Sequence, residues 1–179
     1  MLFLFNPTQK GSTYVTEFKI NSPRLAVEKI KPKKVELDMA GIVRDASCVS
    51  IPDNIPDEHL VTLYKSSVEY KIPIKIITKL ISIESDWIAN NSSHKGARGY
   101  GQIMPSTKRY IAKRLKEKVT DDPNQNIRFT VEYLREMLDD ADGDMRLALA
   151  YYNAGPAKVR KYGPSLTRSY TNAIMRCSK

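Results

Sequence analysis

From Asp57 onward, apolar side chains recur at steps of three and four, the spacing of helices with one buried face. Leu60, Leu63, Tyr64 and Val68 predict a first helix, and Ile72-Pro73 ends it and starts a second. That second run, IKIITKLISIES, contains no Gly or Pro and puts Ile77, Leu80, Ile81 and Glu84 on one face. Beyond a glycine-punctuated loop, Pro105 opens a helix reaching about Lys118, with Tyr110, Ile111 and Leu115 as its inner stripe. Asp121-Asp122-Pro123-Asn124 starts another, which runs to about Asp140 on Ile127, Val131, Leu134 and Leu138. Gly143-Asp144 opens a helix through Leu147 and Leu149 to Tyr152, stopped by Asn153-Ala154-Gly155-Pro156. A last helix from about Pro164 carries Leu166, Tyr170 and Ile174.

Residues 1–50 have a different pattern. Tyr14, Thr16, Phe18 and Ile20 alternate with Val15, Glu17 and Lys19, as in a half-buried strand, and Ser22-Pro23 and Lys31-Pro32 then interrupt the chain. The periodic apolar positions are too few for a separate core. This stretch is either an extended arm that docks on another protein, for instance by adding a strand, or an unstructured tail. Ile51–Pro56 has the composition of a linker. The expected organisation is an N-terminal arm over 1–50 and a mainly α domain of five to seven helices over 51–179.

Glu84 is the chemically informative position. A carboxyl on an apolar stripe loses solvation mainly in its charged form, so it holds its proton to higher pH, as a general acid must. Taken alone, the helix favours a plainer reading: a carboxylate at a frayed helix end, pointing to water. The following loop alters the balance. Gly96, Gly99 and Gly101 allow positive φ and close backbone approach, while Ser93 and Gln102 supply a hydroxyl and an amide. The glycines match neither GxGxxG nor a phosphate loop.

The order ES, S-x-K-G-A-R-G, Q-I-M-P-S-T and A-Y-Y-N-A-G-P resembles the catalytic domain of soluble lytic murein transglycosylases, glycoside hydrolase family 23, from about Ile55 to Tyr170. The resemblance implies a lysozyme-like helical fold and cleavage of peptidoglycan. It makes Glu84 the catalytic acid/base. Ser93, Gln102, Met104, Tyr152, Asn153 and Tyr170 become substrate-binding positions, and the Asp and Asn of D-P-N-Q-N-I become helix caps. Two departures bear on groove shape: Tyr100-Gly101 stands where Leu-Met is usual, and Ala150-Tyr151-Tyr152-Asn153 where Ala-Ala-Tyr-Asn is usual. Tyr151 and Tyr152 point about 100° apart on a helix, so one can pack inward while the other lines the cleft.

Composition narrows the partners. The formal charge is +9, from 29 basic and 20 acidic residues spread along the chain. A basic surface suits nucleic acid, anionic lipid or an acidic polymer such as peptidoglycan with its peptide carboxylates. No RNP, helix-turn-helix or zinc-finger signature accompanies it, so nucleic acid is not expected as a partner. His59 and His94 belong to no ligand cluster, and neither a metal nor another cofactor is expected. Cys48 and Cys177 either bridge the two ends of the domain or remain reduced thiols. The MLFLF start is too short for a secretory leader, and no apolar stretch is long enough to span a bilayer. Delivery to the cell wall is therefore expected in a virion or through a secretion machine, with the arm as the docking segment.

Glycosidases ordinarily use two carboxylates, yet residues 91–102 contain neither Asp nor Glu, and Asp86 lies about 200° round the helix from Glu84. The resemblance implies a chemistry that dispenses with the second. Glu84 would protonate the bond between N-acetylmuramic acid and N-acetylglucosamine, then deprotonate the muramyl C6 hydroxyl, which closes a 1,6-anhydro ring. The alternatives are a goose-type lysozyme on the same fold, with water as nucleophile, and a glycan-binding adaptor whose arm is its main element.

Overall fold

The computed structural model describes residues 38–178, so the strand pattern at 14–20 and most of the expected arm lie outside the described residues. Among the described residues eight α-helices follow one another: α1 Met39–Ala46, α2 Asp57–Tyr70, α3 Ile74–Ser85, α4 Pro105–Leu115, α5 Pro123–Asp140, α6 Met145–Ala154, α7 Pro156–Tyr162 and α8 Arg168–Met175. Two 3-10 turns, Pro164–Thr167 and Arg176–Ser178, flank α8. Among the described residues there are two isolated β-bridges and no longer strand pairing.

Proline opens three of the helices. Pro105, Pro123 and Pro156 occupy the first turns of α4, α5 and α7, where the missing N–H has no intrahelical partner to lose. Asp122 and Asp144 cap α5 and α6, accepting from the backbone N–H of Asn124 and from those of Arg146 and Leu147. Three ends are left-handed at a non-glycine residue: Lys71 after α2, Asp86 after α3 and Lys116 after α4.

α5 is the central helix, packed along α2 on one side and α6 on the other, with α8 resting on α6 and α3. Ile76, Ile77, Leu80 and Ile81 of α3 join Leu60 and Leu63, Ile127, Val131 and Leu134, Ala148 and Leu149, and Ile174 in one core. α4 builds a smaller cluster in which Ile111 and Ala112 close over Phe129.

The structure departs from the sequence pattern in several places. Helix α1 lies within the stretch assigned to the arm, yet Ala40 and Val43 are buried and α1 packs on α2 and α3. Two inward side chains in eight residues are too few to show as a period. Ile51–Pro56 is not an open linker: Ile51 and Ile55 are buried, and Arg44 bonds the Ile55 carbonyl and pairs with Asp57. The helical unit thus begins at Met39 rather than Ile51.

Two helix faces are rotated from expectation. Val68 is 61% exposed, and Ser66 and Ser67 take the inner positions, Ser67 donating to the Ile72 carbonyl at 2.7 Å. Tyr110 is 49% exposed with its hydroxyl on Glu136, because α4 turns Lys108, Ile111 and Ala112 inward. Lys108 is accommodated by donating its ammonium to the Thr120 carbonyl. Helix α7 was not expected; Gly155, at φ 83°, stops α6 and Pro156 immediately restarts the chain. Leu166 accordingly sits on an exposed 3-10 turn before α8.

Cys48 and Cys177 form a disulfide across a separation of 129 residues, with Cα atoms 5.6 Å apart, which decides between the two states left open above. Among the described residues, no helix is long and apolar enough to cross a membrane.

Candidate active site

Glu84 lies in the last turn of α3, one turn beyond Leu80 and Ile81, whose side chains are fully buried. The helix ends one residue later, and Asp86 and Trp87 both take positive φ, 49° and 62°. Asp86 is exposed, and Trp87 is buried edge-on against Tyr100. A bulky residue in the left-handed region costs energy, so packing must hold it there. The reversal leaves Glu84 half-buried at the corner.

Burial raises the Glu84 pKa above the ordinary carboxylate value, and a hydrogen bond from Tyr170 works against that rise. The Tyr170 hydroxyl donates to Glu84 Oε1 at 2.6 Å across 86 residues of sequence. Among the described residues, Tyr170 is the one that hydrogen-bonds this carboxylate. Its own pKa is driven well above the ordinary tyrosine value, first by burial and then by the Glu84 charge. The same two causes, in the same order, act on Tyr152. Both hydroxyls therefore stay protonated at neutral pH and remain donors.

The loop over 91–103 is a compact unit. Ser93 N–H bonds the Ala97 carbonyl, Gly99 N–H bonds the Asn91 carbonyl, and Arg98 and Ile103 exchange both backbone bonds at 3.1 Å. Ser93 Oγ accepts from Ala97 N–H at 3.0 Å, so this exposed serine shapes the turn it sits in. Gln102, at φ 48°, folds its amide back and donates from Nε2 to the carbonyls of Asn91 and Gly99.

The loop is fastened from below by α5. Asn126 accepts from Gly101 N–H at 3.1 Å and donates to the Arg98 carbonyl at 3.0 Å. Thr130, one turn on, donates to the Asn126 carbonyl. Gly99 sits on the Asn126 amide and Gly101 on the Thr130 side chain, so closely that a Cβ at either would overlap the neighbour. Tyr152 holds the same place from α6: it is buried, and its hydroxyl donates to the Gly101 carbonyl at 2.7 Å.

The expected site residues thus fall into separate groups. Glu84 and Tyr170 meet directly. Gln102 and Tyr152 bind the loop backbone, and Ser93 lies in the loop's outer turn. Met104, 40% exposed, precedes α4, and Asn153 is exposed at the end of α6. Tyr151 and Tyr152 do not divide between core and cleft, for both are buried, Tyr151 beneath the Arg160 guanidinium. Asn126 and Thr130 were missed. Asp122 caps α5 as expected, whereas Asn126 turns its whole amide to the loop. Closely spaced glycines were the available signal, since glycine permits another segment to press against the backbone.

A hollow of about 390 Å³ between the loop and the α4–α5 connection is lined by Asn91, Ser92, Arg98, Lys108, Asp121 and Asn126. It does not include Glu84. The shifted carboxyl and its tyrosine donor are the better guide to chemistry than the size of a depression.

Gly101→Ala tests the fastening. The new Cβ would meet the fully buried Thr130 side chain, and overpacking of this kind costs about 2 kcal/mol. A lowered midpoint in thermal unfolding is expected, partly restored by Thr130→Ala, which removes two of the three overlapping atoms. Full wild-type stability in Gly101→Ala alone would contradict the close approach.

Helical architecture, a half-buried acid and its tyrosine donor define the candidate site, and comparison with known proteins places the chain. The family model described as the transglycosylase SLT domain matches residues 62–173, and the chain belongs to that family. The transglycosylase of Enterobacteria phage PRD1 is 32% identical over 115 residues, which cover 64% of this chain and 41% of that protein. The membrane-bound lytic murein transglycosylase F of Cellvibrio japonicus (strain Ueda107) is 32% identical over 130 residues, covering 58% of this chain and 26% of its own. The chain therefore matches less than half the length of either curated relative.

Among solved structures, an inactive mutant of lytic transglycosylase Slt from Pseudomonas aeruginosa has TM-score 0.62 at 24% identity, over 68% of this chain and 23% of that one. The 70 kDa soluble lytic transglycosylase of Escherichia coli has TM-score 0.59 at 24% identity, over 65% and 22%. These two likenesses establish the mainly α, lysozyme-like fold.

Proposed function

We propose that the chain is a lytic transglycosylase that cleaves the β-1,4 bond between N-acetylmuramic acid and N-acetylglucosamine in peptidoglycan and leaves a 1,6-anhydro-muramyl end. The observation that carries this reading is the pairing of a half-buried glutamate of raised pKa with a tyrosine donor at 2.6 Å, inside a domain of the transglycosylase SLT family. Glu84 holds its proton because burial disfavours its charged form, and it gives that proton to the glycosidic oxygen. The carboxylate so formed keeps the Tyr170 hydrogen bond and takes the proton of the muramyl C6 hydroxyl as that oxygen attacks C1. The nucleophile belongs to the reacting sugar, so the step gains from proximity and needs no bound water.

Among the described residues, burial and the Tyr170 hydrogen bond are the influences on Glu84. A single carboxylate acting twice, rather than the two-carboxylate scheme of most glycosidases, is the mechanism we propose. In this reading Ser93 and Gln102 fix the loop that orients the sugar, Tyr152 fixes it from beneath, and Met104 and Asn153 present exposed side chains to the glycan. Action on the cell wall as part of a virion or secretion machine, with the residues before Met39 as the docking segment, is the setting we propose. A phage protein among the relatives supports it.

Mass spectrometry of products from purified peptidoglycan tests the chemistry. Muropeptides one water lighter than hydrolysis products are expected, since the sugar's own hydroxyl replaces water. Ordinary reducing ends would assign the chain to the lysozymes instead.

A further inference from the structure

The clip joining the two ends of the domain lies outside the family match. Helix α1 and Cys48 precede residue 62, and Cys177 follows residue 173. Cys177 sits in the 3-10 turn that runs directly on from α8, about two turns of helix beyond Tyr170. That turn packs on α3, the helix that carries Glu84, and so does α1. Helix α3 is therefore contacted by both segments that the disulfide joins.

α8 needs such a tether. It has eight residues, of which Thr171 and Ile174 are buried. A helix this short has little intrinsic stability. Its polar attachments to other elements include Arg146 to Asn172 and Tyr170 to Glu84 itself.

We propose that the Cys48–Cys177 disulfide is a positioning device: it holds the end of α8 so that Tyr170 stays on Glu84, and its reduction turns the enzyme down while leaving the domain folded. This rests on the reading of Glu84 as the acid/base. A dithiol breaks the bond by attacking one sulfur. Both cysteines end as thiols, and the dithiol closes to its own disulfide. Activity is then low wherever thiols keep the pair reduced and full where it can oxidise.

The test uses the full chain on purified peptidoglycan, with and without dithiothreitol, alongside a Cys48→Ser/Cys177→Ser double variant. Reduction is expected to lower kcat roughly tenfold, within the range that ångström-scale misplacement of a catalytic group costs, with a smaller change in KM. The alkaline limb of the pH profile should move up, because Glu84 loses the donor that favours its charged form. In a Tyr170→Phe background, reduction should add little, since both changes remove the same contact. Circular dichroism at the assay temperature should show the reduced chain still helical.

An unchanged rate and pH profile on reduction would overturn the proposal. So would equal losses with and without the Tyr170 hydroxyl, or a reduced chain that is unfolded at the assay temperature. Glu84→Gln, run in parallel, separates the two levels. If it retains activity, the acid/base reading fails. If it is inactive while reduction has no effect, only the clip fails.

Discussion

Glu84→Gln is expected to abolish peptidoglycan cleavage and, at neutral pH, to make the protein more stable. The two effects have one cause. Gln can still accept the Tyr170 hydrogen bond and fill the same volume, but it has no proton to give to the glycosidic oxygen and cannot take one from the C6 hydroxyl. General acid–base catalysis contributes about 10²–10⁴-fold, and in the proposed mechanism one group serves both steps, so kcat should fall at least about a thousandfold. The stability gain follows from the raised pKa of Glu84. Between the ordinary carboxylate pKa and the raised one, the folded state binds more protons than the unfolded, so stability falls as pH rises through that window. Gln carries no such penalty. Thermal unfolding across pH should show a higher midpoint for the variant at pH 7, with the advantage disappearing in acid below the ordinary carboxylate range. Cleavage near the wild-type rate would move the acid to another residue, whatever the unfolding curves showed.

The part of this site legible in the sequence was the part built from one helical period. Ile77, Leu80, Ile81 and Glu84 share a face because they are neighbours along α3, and the observed burial follows that face. Periodicity does not show what stands opposite. Tyr170 is 86 residues away and reaches Glu84 only because α8 rests on α3 and α6, and motif resemblance alone had marked it. Val68 and Tyr110 satisfied the spacing rule and still face water, since serine or a lysine stem served better at the buried positions once their polar atoms found carbonyl partners. Helix α1 escaped notice because two buried residues make no period. Asn126 shows the deeper limit. Beside Asp122-Pro123 it has the look of a capping residue, and only the loop folded over α5 shows that it satisfies two backbone groups at once. The fold was legible where side chains repeat; the site's support was not, because it consists of single polar contacts between distant segments.

Tyr170→Phe is expected to leave the fold intact and to lower kcat about tenfold to a hundredfold. Phe keeps the ring that packs beside the core and removes only the hydroxyl. A hydrogen bond to a charged group is worth about 1.5–3 kcal/mol, and each 1.36 kcal/mol is a factor of ten in rate. The loss should fall mainly on kcat, because the bond is strongest when Glu84 is a carboxylate, the form that arises as the glycosidic oxygen is protonated. The pH profile identifies the mechanism. Tyr170 lowers the Glu84 pKa against the effect of burial, so deleting its hydroxyl lets that pKa rise further. The variant should hold its catalytic proton to higher pH, with a lower maximum and an alkaline limb displaced upward, and the deficit against wild type should narrow as pH increases. A lowered kcat with an unmoved limb would mean that Tyr170 acts on the sugar rather than on the acid. The 2.6 Å contact of the free enzyme would then be exchanged for a substrate contact during turnover.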